Sequence, residues 1–133
     1  MKKVLRSFLF ILVLFILCFV GCAKTAQSDG KLNVKVVIDS EVVCEKQVDF
    51  LKGNNLVDLL KEDSEIKLSG TNSEYGFTIT GVCGVEASSK GETYYWKILV
   101  DGGYSSVGIS SIELVDGMEI SLELVDWTLE TWE

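Results

Sequence analysis

Leu32-Asn33-Val34-Lys35-Val36-Val37-Ile38, then Asp39-Ser40, then Glu41-Val42-Val43-Cys44-Glu45-Lys46-Gln47-Val48-Asp49-Phe50, is the stretch that decides the fold. In the first run Leu32, Val34, Val36 and Ile38 alternate, which puts them on one face of a strand. In the second run Val42, Cys44, Val48 and Phe50 share a face, and Glu41, Glu45, Gln47 and Asp49 share the other. The short polar break Asp39-Ser40 joins two such runs into a β-hairpin with one apolar side. Water must be kept from that side, so the chain needs a covering element.

The cover follows at once. Lys52-Gly53-Asn54-Asn55 breaks the alternation, and Leu56, Leu59 and Leu60 then recur at the i, i+3, i+4 spacing of one helical face. Asn55 is placed to cap this helix, and Asp58 lies near the positive end of its dipole. Residues 64–74 are mixed and polar and read as a loop. Alternation returns with Phe77, Ile79, Gly81, Cys83 and Val85 inward and Thr78, Thr80 and Val82 outward. Residues 94–100, YYWKILV, form a strongly β-prone run. Asp101-Gly102-Gly103 then turns the chain towards a short strand over 104–107. After an irregular connection and a turn at Asp116-Gly117, residues 118–125 put Ile120, Leu122 and Leu124 inward. The expected architecture is α+β and β-grasp-like, a mixed sheet of about five strands covered by one short helix.

Outward from this domain, the N-terminal segment has a different character. Lys2, Lys3 and Arg6 precede an apolar run from Ser7 to Val20, which ends at Gly21-Cys22. A charged start, an apolar stretch of roughly 7–15 residues and a small residue before the cut describe a secretory signal. Phe19-Val20-Gly21-Cys22 resembles the lipobox of bacterial lipoproteins, which implies a diacylglycerol on Cys22 after removal of residues 1–21. An uncleaved anchor is the alternative, although the run is shorter than the ~20 residues a spanning helix needs. Either form places the domain outside the cytoplasm, tethered to the cell membrane. Residues 22–31 read as a flexible tether, 32–126 as the domain and 127–133 as an aromatic tail carrying Trp127 and Trp132.

Removing residues 1–21 leaves 112 of the 133 residues, enough for one core. It also removes three cations and no acid, which takes the formal charge from −8 to −11. So acidic a domain is expected to repel nucleic acid and anionic lipid headgroups. Histidine is absent from the whole sequence. Ser-His-Asp and Cys-His catalysis and His-containing zinc sites are thereby excluded. The acids are scattered singly along strands, without the spacing of a calcium loop. The chain is read as non-enzymatic, with no catalytic or metal-ligating residues. Cys18 is lost with the signal, and Cys22 is the lipidation candidate. Cys44 and Cys83 fall in the same inward phase, where a disulfide and a pair of buried thiols are both open readings.

The run Glu74-Tyr75-Gly76-Phe77-Thr78-Ile79-Thr80-Gly81-Val82, the strand Tyr95-Trp96-Lys97-Ile98-Leu99-Val100-Asp101-Gly102, the pair Gly108-Ile109 and the turn Asp116-Gly117 together resemble the transcobalamin-like C-terminal domain family of bacterial surface and secreted proteins. Asp101 stands where that family usually has asparagine, and Met118 where a second aspartate is common. The resemblance implies a β-grasp-like domain and a small ligand, with cobalamin or a related corrinoid as the named candidate. Tyr94, Tyr95, Trp96, Asp101, Gly102, Tyr104 and Ser105 are the candidate ligand-binding residues, because aromatic faces and glycine turns offer flat apolar and close polar contact. The competing reading is a protein-interaction or adhesion module, accessory to a transporter or surface protein. It would work through sheet edges and the terminal tryptophans.

Overall fold

A computed structural model describes residues 27–131. The expectations for Cys22, for the signal segment and for Trp132 lie outside those residues. Among the described residues no helix is long and apolar enough to cross a membrane.

The hairpin forms as its alternation dictates. Strands β1 (Gly30–Ile38) and β2 (Glu41–Phe50) pair antiparallel, and Asp39 and Ser40 close them at φ 51° and 64°. Two successive positive φ values match the right-handed twist of the flanking strands. Backbone pairing is already present within the expected tether, since Asp29 N–H donates to the Phe50 carbonyl at 2.9 Å. The register slips between Val36 and Val37, leaving Val43 as an extra residue opposite β1. This bulge corrects one expectation. Val42 is exposed, while Cys44, Lys46, Val48 and Phe50 keep the inward phase.

Helix α1 (Leu56–Glu62) starts where expected, with the Asn55 side chain accepting from Val57 N–H at 2.8 Å. Leu56, Val57 and Leu60 are buried, and Leu59 is only partly so. Val57 therefore takes part of the role expected of Leu59. The helix ends at Asp63, whose Oδ1 accepts from the N–H groups of Glu65 and Ile66 and closes a turn into the next segment.

That segment holds the main departure. Residues 69–73, expected as loop, form β3 (Ser69–Ser73), which pairs with β4 (Gly76–Val82); β4 in turn pairs with β5 (Val85–Glu86). These three make a second, small sheet. The sequence SGTNS carries no apolar alternation, and close approach to β4 is possible because Gly70 has no Cβ. A Cβ there would collide with the Thr78 carbonyl and the Phe77 ring. Cys83 and Gly84 join β4 to β5 at φ 54° and 78°. This turn interrupts the alternation expected to run through to Val85, and Val82, expected outward, is fully buried.

The main sheet is completed by β6 (Tyr94–Val100), β7 (Gly103–Tyr104) and β8 (Glu119–Asp126), in the order β2-β1-β8-β6-β7. The first and last strands lie parallel at its centre, with Val34 beside Ile120 and Val36 beside Leu122. All other pairs in this sheet are antiparallel. This is the α+β arrangement expected, with the second sheet added. Its inner face stacks Leu32, Val34, Val36, Ile120 and Leu122, all fully buried, beneath α1 and the small sheet. Each such side chain contributes about 1.5–3 kcal/mol by leaving water. Trp96 joins the two sheets, its ring buried in the shared core and its indole N–H donating to the Thr80 carbonyl at 3.2 Å.

Candidate functional site

The sheet's other face carries a different set. Strand alternation on β6 turns Trp96 and Ile98 inward, and therefore Tyr95, Lys97 and Leu99 outward. Tyr104 on β7 pairs with Leu99 on that outer side. The chain beyond β8 then returns over it. Asp126 accepts from Thr128 N–H at 3.0 Å and opens a 3-10 turn over Trp127–Leu129, which brings Glu130 back to β6. Lys97 Nζ reaches Glu130 Oε1 at 2.8 Å, and the Tyr95 hydroxyl donates to Glu130 Oε2 at 3.2 Å. Lys97 Nζ also lies 5.7 Å from the centre of the Tyr104 ring, a cation–π distance. The expected aromatic tail is thus part of the domain as far as Glu130. It is held by a carboxylate, whereas Trp127 and Leu129 remain largely exposed.

The electrostatics agree with the geometry. The Lys97 ammonium, more than the Tyr95 hydroxyl, holds the Glu130 carboxyl below its ordinary value, against a smaller opposing effect of burial. Burial first, and then Tyr104 and Glu130, raise the Tyr95 phenol, so it stays protonated and acts as a donor.

Beside this cluster is a concavity of about 300 Å³ at the open edge of β6. It exists because β7 pairs only with Leu99 and Val100, and the following loop bonds back once more, from Ser105 N–H to the Ile98 carbonyl at 3.0 Å. Its walls include Tyr95, Trp96, Ile98, Tyr104, Ser105 and Val107. Four of the residues singled out from sequence, Tyr95, Trp96, Tyr104 and Ser105, are therefore brought together. Tyr104 and Val107 are about half exposed, at 57% and 47%, and present apolar surface to an incoming molecule. The hydroxyl of Ser105 is turned back onto the Val107 carbonyl at 2.7 Å, which shapes the loop.

The other three are placed elsewhere. Tyr94 packs against the inner core. Asp101 and Gly102, at φ 49° and 82°, form the two-residue turn of the β6–β7 hairpin. Asp101 N–H donates to the Glu119 carbonyl and its Oδ1 accepts from Glu119 N–H, both at 2.9 Å, so its polar groups serve the sheet. Gly103, read as part of the turn, is a strand residue paired with Val100.

Besides the Lys97–Glu130 pair, sequence reasoning missed two features. One is a larger cleft of about 710 Å³ between the β2–α1 connection and residues 110–116, lined in part by Leu51, Lys52, Leu114 and Val115. It is built from loops without periodic pattern, so nothing in the sequence marks it. The other is Lys46, an inward-phase residue whose Nζ reaches Asp63 Oδ2 at 2.8 Å and Glu65 Oε1 at 3.4 Å. The signal for it was present, since a lysine at an inward position demands a partner. Among the described residues no three Cys, Asp or Glu side chains are grouped so as to hold a metal ion.

The profile of a family described as "Domain of unknown function (DUF4430)" matches residues 53–126. No protein with a curated description matches the chain. Among the solved structures that share the fold are the following two. A proposed metal-binding protein from Ruminococcus gnavus ATCC 29149 superposes with a TM-score of 0.59 at 20% identity, over 74% of this chain and 98% of that one. Haptocorrin in complex with cobinamide (Cbi) superposes with a TM-score of 0.62 at 22% identity, over 73% of this chain. The match takes in only 25% of the haptocorrin chain. The likeness agrees, at the level of fold, with the transcobalamin-like resemblance carried by residues 74–125.

Proposed function

The chain belongs to the DUF4430 family, and from that premise we propose that it is a membrane-tethered, extracytoplasmic module that binds a small, flat, partly apolar molecule without transforming it. The observation that carries this reading is the convergence of Tyr95, Trp96, Tyr104 and the 105–108 loop around one concavity, with Tyr104 held beside Lys97. An aromatic wall with a few fixed polar groups is how small-ligand sites combine affinity with orientation. At about 300 Å³ the concavity is at the small end for a ligand pocket. It can cover one face or edge of a large ligand and leaves the remainder for another body. A corrinoid is the leading candidate, supported by the likeness to a structure holding cobinamide, in which the matching portion is a quarter of the chain.

Titration of the full chain in detergent with cobinamide and cobalamin, followed by absorbance and heat, tests the ligand. Saturable binding that weakens at least tenfold in Tyr104→Ala supports the reading. No heat and no spectral shift at millimolar corrinoid would sink that ligand. The tether is tested apart from it. Fatty-acid labelling in cells should be lost in Cys22→Ala, and labelling that persists removes Cys22 from its role.

The second reading, a protein-interaction module, is favoured by the exposure of Trp127 at 53% and Leu129 at 79% on a turn that the domain itself holds in place. Apolar side chains presented on a fixed turn suit a protein surface. Deleting residues 127–133 and repeating a crosslinking pull-down from membranes separates the readings. An unchanged set of partners removes this one.

A further inference from the structure

Cys44 and Cys83 come from different sheets and meet at the 63–67 turn. The Cys44 Sγ lies 3.9 Å from Glu65 Oε2, and Cys83 N–H donates to the Ile66 carbonyl at 2.6 Å. Both thiols are free and half-buried against the core, and each lies close enough to perturb the other's ionisation. Cys83 is also held at φ 54°, where glycine or asparagine is the easy choice and other residues cost about 1–2 kcal/mol. A strained backbone position given to a cysteine that shares a turn with a second cysteine is a place kept for its side chain.

We propose that Cys44 and Cys83 form an intramolecular disulfide that ties β2 of the main sheet to the β4–β5 turn of the small one. The oxidant is a disulfide-bearing partner, either a thiol–disulfide oxidoreductase or a small disulfide such as oxidised glutathione. The Cys44 thiol loses its proton and its sulfur attacks the partner's disulfide, releasing one thiolate. The Cys83 sulfur, losing its own proton, then displaces the second. Two S–H bonds and the partner's S–S bond are exchanged for one protein S–S bond and two partner thiols, with the two electrons passing to the partner.

The surroundings suit a structural bond and not a catalytic one. Burial, followed by Cys44 and the carboxylates of Asp63 and Glu65, pushes the Cys83 thiol up to about 11. Burial and Glu65 raise Cys44 more than Lys46 lowers it. A redox catalyst needs the reverse, a thiol pushed down towards neutral pH. Here exchange is slow, and the bond persists once made. It closes a loop from 44 to 83 across the segment whose β3 strand has the weakest sequence signal, where a crosslink restricts the unfolded chain most usefully.

The experiment equilibrates the full chain with a series of glutathione redox buffers, blocks remaining thiols, digests without reduction and maps the linked peptides. The expected result is one Cys44–Cys83 crosslink that forms in oxidising buffer. Oxidation should raise Tm by roughly 10 °C, a gain absent in Cys44→Ser. Cys83→Asn keeps a residue suited to positive φ, so it should fold as well as reduced wild type and show no redox-dependent Tm. Both thiols alkylated or singly glutathionylated in the most oxidising buffer, a crosslink to Cys22, or a redox-dependent Tm that survives in Cys44→Ser each overturns the proposal.

Discussion

The two faces of the main sheet are built from the same strands and serve different ends. The inner face is aliphatic, closed and fully buried at Val34, Val36, Ile120 and Leu122. The outer face is half-buried and amphipathic, with Tyr95, Lys97 and Glu130 tied by short polar contacts and Tyr104 at a cation–π distance from Lys97. Each face also carries a lysine–carboxylate pair at 2.8 Å, Lys46–Asp63 within and Lys97–Glu130 without. The inner pair fixes the end of α1 and the turn that receives the two thiols. The outer pair fastens the returning chain beside the aromatic concavity. Stability is thus concentrated on one side of a single sheet, and the concavity opens at the sheet's edge, beside the outer cluster.

The sharpest way to break this division is a truncation on the inner face. Leu122→Ala should cost about 2–5 kcal/mol in denaturant unfolding, because it empties volume between β1 and β6. Ligand affinity of the folded fraction should not change. On the outer face the expectation reverses. Tyr104→Ala should lower affinity for the titrated corrinoid at least tenfold, about 1.4 kcal/mol, and should alter stability by less than about 1 kcal/mol. If Tyr104→Ala unfolds the protein, or Leu122→Ala alone abolishes binding, the two faces are not separable in this way.

A smaller effect tests the cover of the inner face. Asn55→Ala removes the acceptor for Val57 N–H and should cost about 1 kcal/mol, read as a lower denaturant midpoint at constant slope. The smallest effect is in pH. Glu130 is held below its ordinary value of 4.5, by Lys97 foremost. Its contribution is therefore present above that value and is lost as pH falls through the lowered one. Asp63 behaves alike from an ordinary value of 3.8. Burial there works to raise it, and the bonds from Lys46, Ile66 and Glu65 more than offset that. Unfolding curves between pH 6 and pH 2 should show the acid loss reduced in Glu130→Gln and, separately, in Asp63→Asn. Equal acid sensitivity in both variants and wild type would remove both pairs from the account.

Much of the inner face was legible in the sequence. Leu32 to Ile38 and Ile120 to Leu124 alternate without interruption, and Asn55 stands before a leucine pattern of helical period. Alternation failed where the backbone breaks phase. The bulge at Val43 exposes Val42, an extra residue at Thr80 shifts the phase of β4 so that Val82 is buried against expectation, and the positive φ of Cys83 ends a run that reads as continuous. β3 was missed because SGTNS is held by its ladder and by the small size of Gly70, neither of which leaves an apolar signature. Of the candidate site, the aromatic members were found because Tyr and Trp on an edge strand stand out. Glu130 and Lys97 were not, since a carboxylate in an acidic tail looks solvated until the chain is seen to return.

By itself the sequence determined which residues of each strand share a side, where the helix begins and where the tight turns fall. All of these depend on neighbours a few positions apart, through side-chain alternation, helical period and the φ that small or polar turn residues accept. Only the tertiary structure decided which strands lie side by side and what they bring together. The parallel pairing of β1 with β8, the second sheet, the convergence of Cys44 and Cys83 on the 63–67 turn and the fastening of Glu130 over Tyr95 and Lys97 join residues far apart in the chain. Such contacts are selected by the burial and charge balance of the whole domain, and no local pattern records them.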